Sequence, residues 1–352
     1  MSTVTRESLP RILSGVQSSG KLHIGNYFGA IKQHIERQDK GDCFFFIADY
    51  HAMTTLKEAE EKEVAAAAKN KQLTPRPARE ILRDNVSDVA IDYLALGLDP
   101  AKVAFFRQSD VPEVCELAWV LSTVSGMGLL ERAHSYKDKV AKGFTPSVGL
   151  FTYPILMAAD ILIYRSHLVP VGRDQEQHLE MTRDIAGSFN HAFGEVFPLP
   201  EAVFNEAAIV PGTDGQKMSK SYGNTIDIFA EGKALERAVM GIVTDKTPLE
   251  APLDPDTCNV FALYKLFASP PEQEELAAKY RAGGFGYGAA KKTLLAKIDA
   301  YFAPARERRK LLERNPGLVE EALTAGAQRA RAVAQVTVRL VRERLGLNQR
   351  PV

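Results

Sequence analysis

Four short runs do most to limit what this chain can become: Arg11–Val16 (RILSGV), Cys43–Ala48 (CFFFIA), Val103–Arg107 (VAFFR) and His167–Val171 (HLVPV). They are largely apolar rather than alternating, as the strands of a parallel sheet covered on both faces must be. Helical patterns lie between and beyond them, at Asn26–Arg37, Pro77–Leu96, Glu113–Ser125, Pro154–Tyr164 and Gln175–Phe193. Strand alternating with helix predicts an α/β fold built on a doubly wound parallel sheet. In such sheets a ligand occupies the crevice at the carboxyl ends of the strands. Three polar stretches fall at those ends: the segment after Val16, then Asp49-Tyr50-His51, then Gly172-Arg173-Asp174-Gln175.

At 352 residues the chain exceeds the ~250–300 at which a single core usually stops growing, so a second unit is expected. From about residue 228 the pattern is helical only, with turns at Gly283-Gly284 and Asn315-Pro316-Gly317. The expected organisation is an α/β domain over 1–227, carrying a helical insertion at about 112–150, and an all-α domain over 228–352. Charge is balanced, 44 basic residues against 44 acidic, so contact with nucleic acid would need a local basic patch. The stretch Arg306–Arg350 holds eleven Lys/Arg and five Asp/Glu; it reads equally as a solvated helix face or as a phosphate-contacting surface. Lys57–Arg76, charged and alanine-rich, reads as an exposed helix and loop. The three cysteines, Cys43, Cys115 and Cys258, are far apart and form no metal-binding or disulfide pattern. With no signal-like N-terminus and no apolar run of membrane-spanning length, a cytoplasmic location is expected.

Two short motifs carry chemistry. GKLHIGN (Gly20–Asn26) follows the first strand and opens a helix, a place suited to anions, yet it is neither a Walker loop nor G-x-G-x-x-G. GTDGQKMSKSYGN (Gly212–Asn224) is a turn-rich loop with Lys217 and Lys220, flexible point charges that suit phosphate oxygens. Alone, the second would pass for an ordinary polar loop. Asp160 is a third feature: a carboxylate within the apolar helix LMAADILI needs a partner, because burying it unpaired is costly.

The two motifs, about 190 residues apart on one α/β frame, resemble the signature pair of class I aminoacyl-tRNA synthetases. YPILMAADILIY (Tyr153–Tyr164), VPVGRDQEQHLEMTRDIA (Val169–Ala186) and DYHAMT (Asp49–Thr54) sharpen the likeness to the bacterial tryptophanyl-tRNA synthetases. That resemblance implies a Rossmann-like catalytic domain followed by an α-helical tRNA (anticodon) binding domain. It implies a ligase reaction in two steps: L-tryptophan is activated with ATP to tryptophanyl-adenylate and pyrophosphate, then passed to the 3′-terminal ribose of tRNA(Trp). It also implies a homodimer, Mg²⁺ arriving with ATP, and no metal held by the protein itself.

Residue by residue, the resemblance assigns Lys217, Lys220, Lys139, His23 and Asn26 to catalysis. It assigns Gln17, His23, Gly25, Asn26, Gly172, Asp174, Lys217, Met218, Ser219 and Lys220 to ATP. Lys137 competes with Lys139 for the triphosphate. For tryptophan it assigns Asp160 to the indole N–H, Tyr153 and Gln175 to the α-amino group, and Met157, Val169, Val171 and His51 to the pocket lining. Indole N–H only donates, so the pocket must supply an acceptor. Ser18 stands where the family has proline, and the segment from about Leu56 to Arg76 is longer than the family pattern. The rival readings are a tyrosyl-type synthetase, a nucleotidyltransferase, or a non-catalytic tRNA-binding paralogue.

Overall fold

All four expected strands form, and a fifth joins them. The computed structural model describes residues 9–18, 20–70, 72–133, 136–137, 147–204 and 210–347. Strands β1 (Arg11–Val16), β2 (Asp42–Ile47), β3 (Ala104–Arg107), β4 (Leu168–Val171) and β5 (Glu201–Phe204) make a parallel sheet in the order β3-β2-β1-β4-β5. Register runs from Arg11 opposite Asp42 to Val16 opposite Ile47. Side chains alternate across the pleat, so Cys43, Phe45 and Ile47 enter one core while Phe44 and Phe46 enter the other. Both faces are therefore apolar, which explains the unbroken run in the sequence. β5 escaped sequence reading because EAVF is four residues long, lies at an edge and is only partly buried, so it carries no apolar run.

Strand order reverses at β1, which has β2 on one side and β4 on the other. The crevice is consequently set over the carboxyl ends of β1 and β4. Past β1 the chain forms α1 (Ile24–Asn26), a π-helical turn (Tyr27–Ile31) and α2 (Lys32–Arg37). After β2 comes α3 (Asp49–Lys69), which packs against α4 (Ala78–Leu96). The charged stretch expected to begin an exposed helix at Lys57 thus belongs to one 21-residue helix that starts at the strand end. The far side of the sheet carries α5 (Glu113–Ser122), α6 (Met127–Glu131), α7 (Val148–Ile163) and α8 (Glu176–Phe193). The sequence placed the start of α7 at Pro154. The helix in fact begins at Val148, where the Ser147 hydroxyl accepts the Leu150 N–H (3.2 Å), and it runs through the proline.

Beyond the loop at 210–224 the described chain is helical: α9 (Gly232–Met240), α10 (Asn259–Lys265), α11 (Pro270–Ala282), α12 (Gly286–Arg314) and α13 (Pro316–Arg344). Helix α12 packs on α4, while α13 lies along the edge strand β3. Gly326 makes that approach possible, since a Cβ there would stand 1.9 Å from the Phe105 carbonyl oxygen. The helix thereby covers a strand edge that would otherwise invite pairing with another chain. The basic tail turns out to hold the fold together. Arg309 pairs with Asp92 (2.7 Å) and Asp88 (3.1 Å), Arg331 with Glu113 (2.8 Å), and Arg342 with Glu116 (2.6 Å). Neither a plain solvated face nor a surface reserved for phosphate describes these arginines. No helix among the described residues is long and apolar enough to cross a membrane.

Candidate active site

The turn after β1 is held by its own side chains. His23 Nδ1 accepts the Asn26 backbone N–H (3.3 Å), and Asn26 Oδ1 accepts the His23 N–H (3.1 Å), a reciprocal cap at the start of α1. Acceptance at Nδ1 leaves Nε2 as the proton-bearing nitrogen of the neutral ring. The ring is neutral because burial, and then the nearby Lys220 charge, lower its pKa to about 4. His23 and Asn26 therefore shape the helix start that the sequence offered as a phosphate site, while the Ile24 N–H is donated to the Ile226 carbonyl (3.0 Å) and the Tyr27 N–H to the His23 carbonyl (3.1 Å).

The lysine loop rests against this turn. Gly25 N–H points to the Met218 sulfur at 3.3 Å, and the Lys220 ammonium sits 3.9 Å from where a Cβ on Gly20 would stand. Partial burial lowers the Lys220 pKa, opposed by Asp227 and then Asp92. Lys217 is exposed where the turn closes, bridged to Pro211. Asn224, a residue that sequence reading passed over, fixes the loop's shape. Its Oδ1 accepts the Ser219 N–H (2.7 Å), and its Nδ2 donates to the Lys217 carbonyl (3.1 Å) and to Asp214 (2.7 Å). A buried asparagine in a polar loop is the available clue, but burial is not visible in sequence.

A cavity of about 910 Å³ opens beside these motifs. Gln17, at the end of β1, lines it together with Gly172 and Gln175 after β4. Gly172 cannot be replaced by a larger residue without moving Asp174, whose Oδ1 would lie 2.4 Å from a new Cβ. Asp174 itself accepts the Gln175 Nε2–H (2.9 Å), which turns the Gln175 amide. Met157, Val169 and Val171 give the cavity an apolar wall. Tyr153 lines it too, with its hydroxyl on His178 Nε2, a partner that the sequence did not single out.

Asp160 lies at the floor and is 3% exposed. Burial pushes its carboxyl upward, opposed first by His51 and then by Gln108. His51 Nε2 meets Oδ2 at 2.9 Å, and the Gln108 amide spans both oxygens at 2.8 and 2.9 Å. Gln108 cannot turn its amide round, because its Oε1 accepts the Tyr50 backbone N–H (3.1 Å). Asp49 braces the same corner, accepting the Tyr50 and Ser109 N–H groups at 3.0 Å each. A carboxylate oxygen has two lone-pair sites. Asp160 therefore keeps acceptor capacity for one further N–H donor entering the apolar slot. Sequence reading found Asp160 and His51 but not Gln108; a glutamine at a strand end gives no pattern of its own.

The sequence-derived residues thus fall in two adjoining groups. His23, Gly25, Asn26, Met218, Ser219, Lys220 and Lys217 belong to the turn and the loop, while Gln17, His51, Tyr153, Met157, Asp160, Val169, Val171, Gly172 and Gln175 border the cavity; Asp174 is exposed and reaches the site through Gln175. Lys139 lies outside the described residues; its competitor Lys137 is described and exposed. Among the described residues no cluster of three or more His, Cys, Asp or Glu is placed to hold a metal ion.

Fold, switch point, lysine loop and cavity define a nucleotide-using α/β enzyme of the class I synthetase type. The chain belongs to that family: the model for tRNA synthetases class I (W and Y) matches residues 5–303. Among curated relatives, the tryptophan–tRNA ligase of Rhodopirellula baltica is 53% identical over 338 residues, covering 96% of this chain and 99% of that one. The tryptophan–tRNA ligase of Fusobacterium nucleatum is 52% identical over 341 residues, covering 96% and 98%. Among solved structures, the tryptophanyl-tRNA synthetase of Campylobacter jejuni complexed with ADP and tryptophan superposes with a TM-score of 0.86 at 50% identity, covering 96% of this chain and all of that one.

Proposed function

We infer that the chain is a tryptophan–tRNA ligase, and the observation that carries this reading is Asp160. Its carboxylate is the wired acceptor at the floor of an apolar slot, oriented by Gln108 and His51. An indole N–H supplies the donor it lacks, and the slot walls take the rings. Phenylalanine would leave a buried acceptor unpaired, a loss worth several powers of ten in sites of this kind.

In the first step the tryptophan carboxylate attacks the α-phosphorus of ATP; the bond to the bridging oxygen breaks and pyrophosphate leaves. In the second step a ribose hydroxyl at the tRNA 3′ end attacks the acyl carbon, and AMP leaves. No protein nucleophile is needed, so the work is positioning and charge stabilisation. Tyr153 and Gln175 take the α-amino group, with Met157, Val169, Val171 and His51 around the rings. Gln17, Gly172 and Asp174 border the carboxylate and α-phosphate. The turn at His23, Gly25 and Asn26 receives the phosphates, while Lys217 and Lys220, carried by Met218 and Ser219, neutralise the departing pyrophosphate. Lys139 is the further lysine assigned to the triphosphate. Mg²⁺ comes bound to ATP, which supplies its oxygen ligands.

The same reading divides the chain at 227/228, gives the helical C-terminal part the anticodon end of tRNA(Trp), and sets the enzyme in the cytoplasm with its substrates. It also pairs two copies. Trp119 on α5 is 72% exposed and Met127 on α6 is 62% exposed, an apolar face suited to a second subunit.

The test is exchange of labelled pyrophosphate into ATP with each of the twenty amino acids and no tRNA. Exchange with tryptophan alone is the expected result. Exchange with tyrosine instead would keep the family and overturn the Asp160 argument, and no exchange at all would leave a tRNA-binding paralogue.

A further inference from the structure

Helix α3, which runs into the charged, alanine-rich segment, forms a wall of the cavity. Helix α3 rises about 31 Å from the end of β2, at 1.5 Å per residue over its 21 residues. One of its faces, Thr54, Thr55, Glu58 and Lys62, borders the same cavity as Asp160. These positions follow the i, i+4, i+8 spacing of a single helical face. The other face is braced. Glu60 accepts the Ala78 N–H (2.9 Å), and Arg76 joins Glu63 to Asp84 (3.4 Å). The arm is therefore tied back to α4 through its acidic residues, and the cavity-side face is left polar.

Lys62 is the only lysine or arginine bordering this cavity among the described residues. It stands about 20 Å up the helix from Asp49, far from the floor where Asp160 lies and well outside the amino-acid slot. The phosphates of ATP already have the turn at His23 and the loop lysines. What must still enter is the 3′ end of the tRNA, a strand that brings one negative charge per nucleotide. Glu58, one turn below Lys62, is the only other charged group on this face and sets the charge environment of the lysine.

We propose that the α3 arm is a contact surface for the acceptor end of tRNA, with Lys62 binding a phosphodiester near its 3′ terminus. This rests on the aminoacylation reading above. Lys62 acts on the second substrate only and takes no part in adenylate formation.

The experiment compares the full-length enzyme with Lys62→Gln, Lys62→Arg and Glu58→Gln. Each protein is assayed for tryptophan-dependent pyrophosphate exchange, for charging of tRNA(Trp), and for tRNA affinity over a salt series. With Lys62→Gln, exchange should keep its kcat and its KM for ATP and tryptophan. The KM for tRNA should rise about three- to tenfold, and the log–log salt slope should fall by about 0.7–0.9, the loss of one phosphate contact. Lys62→Arg should retain affinity, and Glu58→Gln should not weaken it. An unchanged tRNA affinity and salt slope in Lys62→Gln would overturn the proposal. So would an equal loss in exchange, because the lysine would then serve the small substrates or the fold. Absence of exchange in the unmodified enzyme would count against the parent reading, and is thereby distinguished.

Discussion

The floor of the cavity and the lysine loop solve opposite electrostatic problems. Asp160 is buried, and its charge is supported before any ligand arrives, by the Gln108 Nε2 amide that bridges both oxygens and by His51. Lys217 and Lys220 are exposed, and the loop that carries them is stabilised by its own backbone and by Asn224. The contrast follows from who brings the charge. A neutral indole cannot compensate a buried carboxylate, so the protein must do so in advance. A triphosphate brings its own charge, so under the proposed function its partners need no such prior compensation. On the proposed reading, selection rests on a pre-built hydrogen-bond network and charge neutralisation on lysines that the incoming ligand meets near the surface.

The contrast is broken most sharply at the loop. Lys217→Ala and Lys220→Ala should each lower kcat of pyrophosphate exchange by about 10²–10³-fold, with a much smaller change in ATP affinity. Steady-state exchange beside equilibrium ATP binding measures both, and a loss confined to binding would show that these lysines act on the ground state. At the floor, Asp160→Asn should raise the tryptophan KM by about 30- to 100-fold while the ATP KM stays near that of the parent. An unchanged tryptophan KM would remove Asp160 from selection.

Gln108→Leu sharpens the comparison further. The Asp160 carboxyl already titrates above its ordinary value because it is buried. Its acceptor form is lost as pH falls through that value, and removing the bridging Gln108 amide moves the loss to higher pH. The tryptophan KM of the variant should be about tenfold higher and should begin to climb at a higher pH than in the parent as pH is lowered; pH profiles of KM from 5.5 to 8.5 decide it. The smallest effect belongs to His23. With a pKa near 4 its ring is neutral over that whole range, so the profile of kcat should hold no inflection that disappears in His23→Gln. Finding one would mean that the ring takes up a proton when nucleotide binds.

How much of this was legible in the sequence differs between the two regions. Contiguous motifs were readable because local geometry makes them: a strand, a turn and a helix put Gly20–Asn26 in one place, and Gly212–Asn224 is one loop. The floor was only half legible. Asp160 stands out as a charge in an apolar helix, but Gln108 and Tyr50 sit 52 and 110 residues away along the chain, and only the sheet brings them together. The ion pairs of the basic tail were not legible for the same reason, since the acidic partners Asp88, Asp92, Glu113 and Glu116 lie some 200 residues earlier.

The sequence by itself determined the four buried strands, the parallel sheet and the helical second half, because periodicity and apolar runs are local properties of the chain. It also offered the residue types on which the proposed chemistry rests, lysines suited to phosphate and a carboxylate suited to an indole N–H. The tertiary structure alone decided which carboxylate keeps a free lone pair, which arginines are consumed by the fold, and that α3 borders the cavity. Those outcomes depend on burial and on long-range partners. A partner's distance in space is fixed by packing, and sequence separation carries no measure of it.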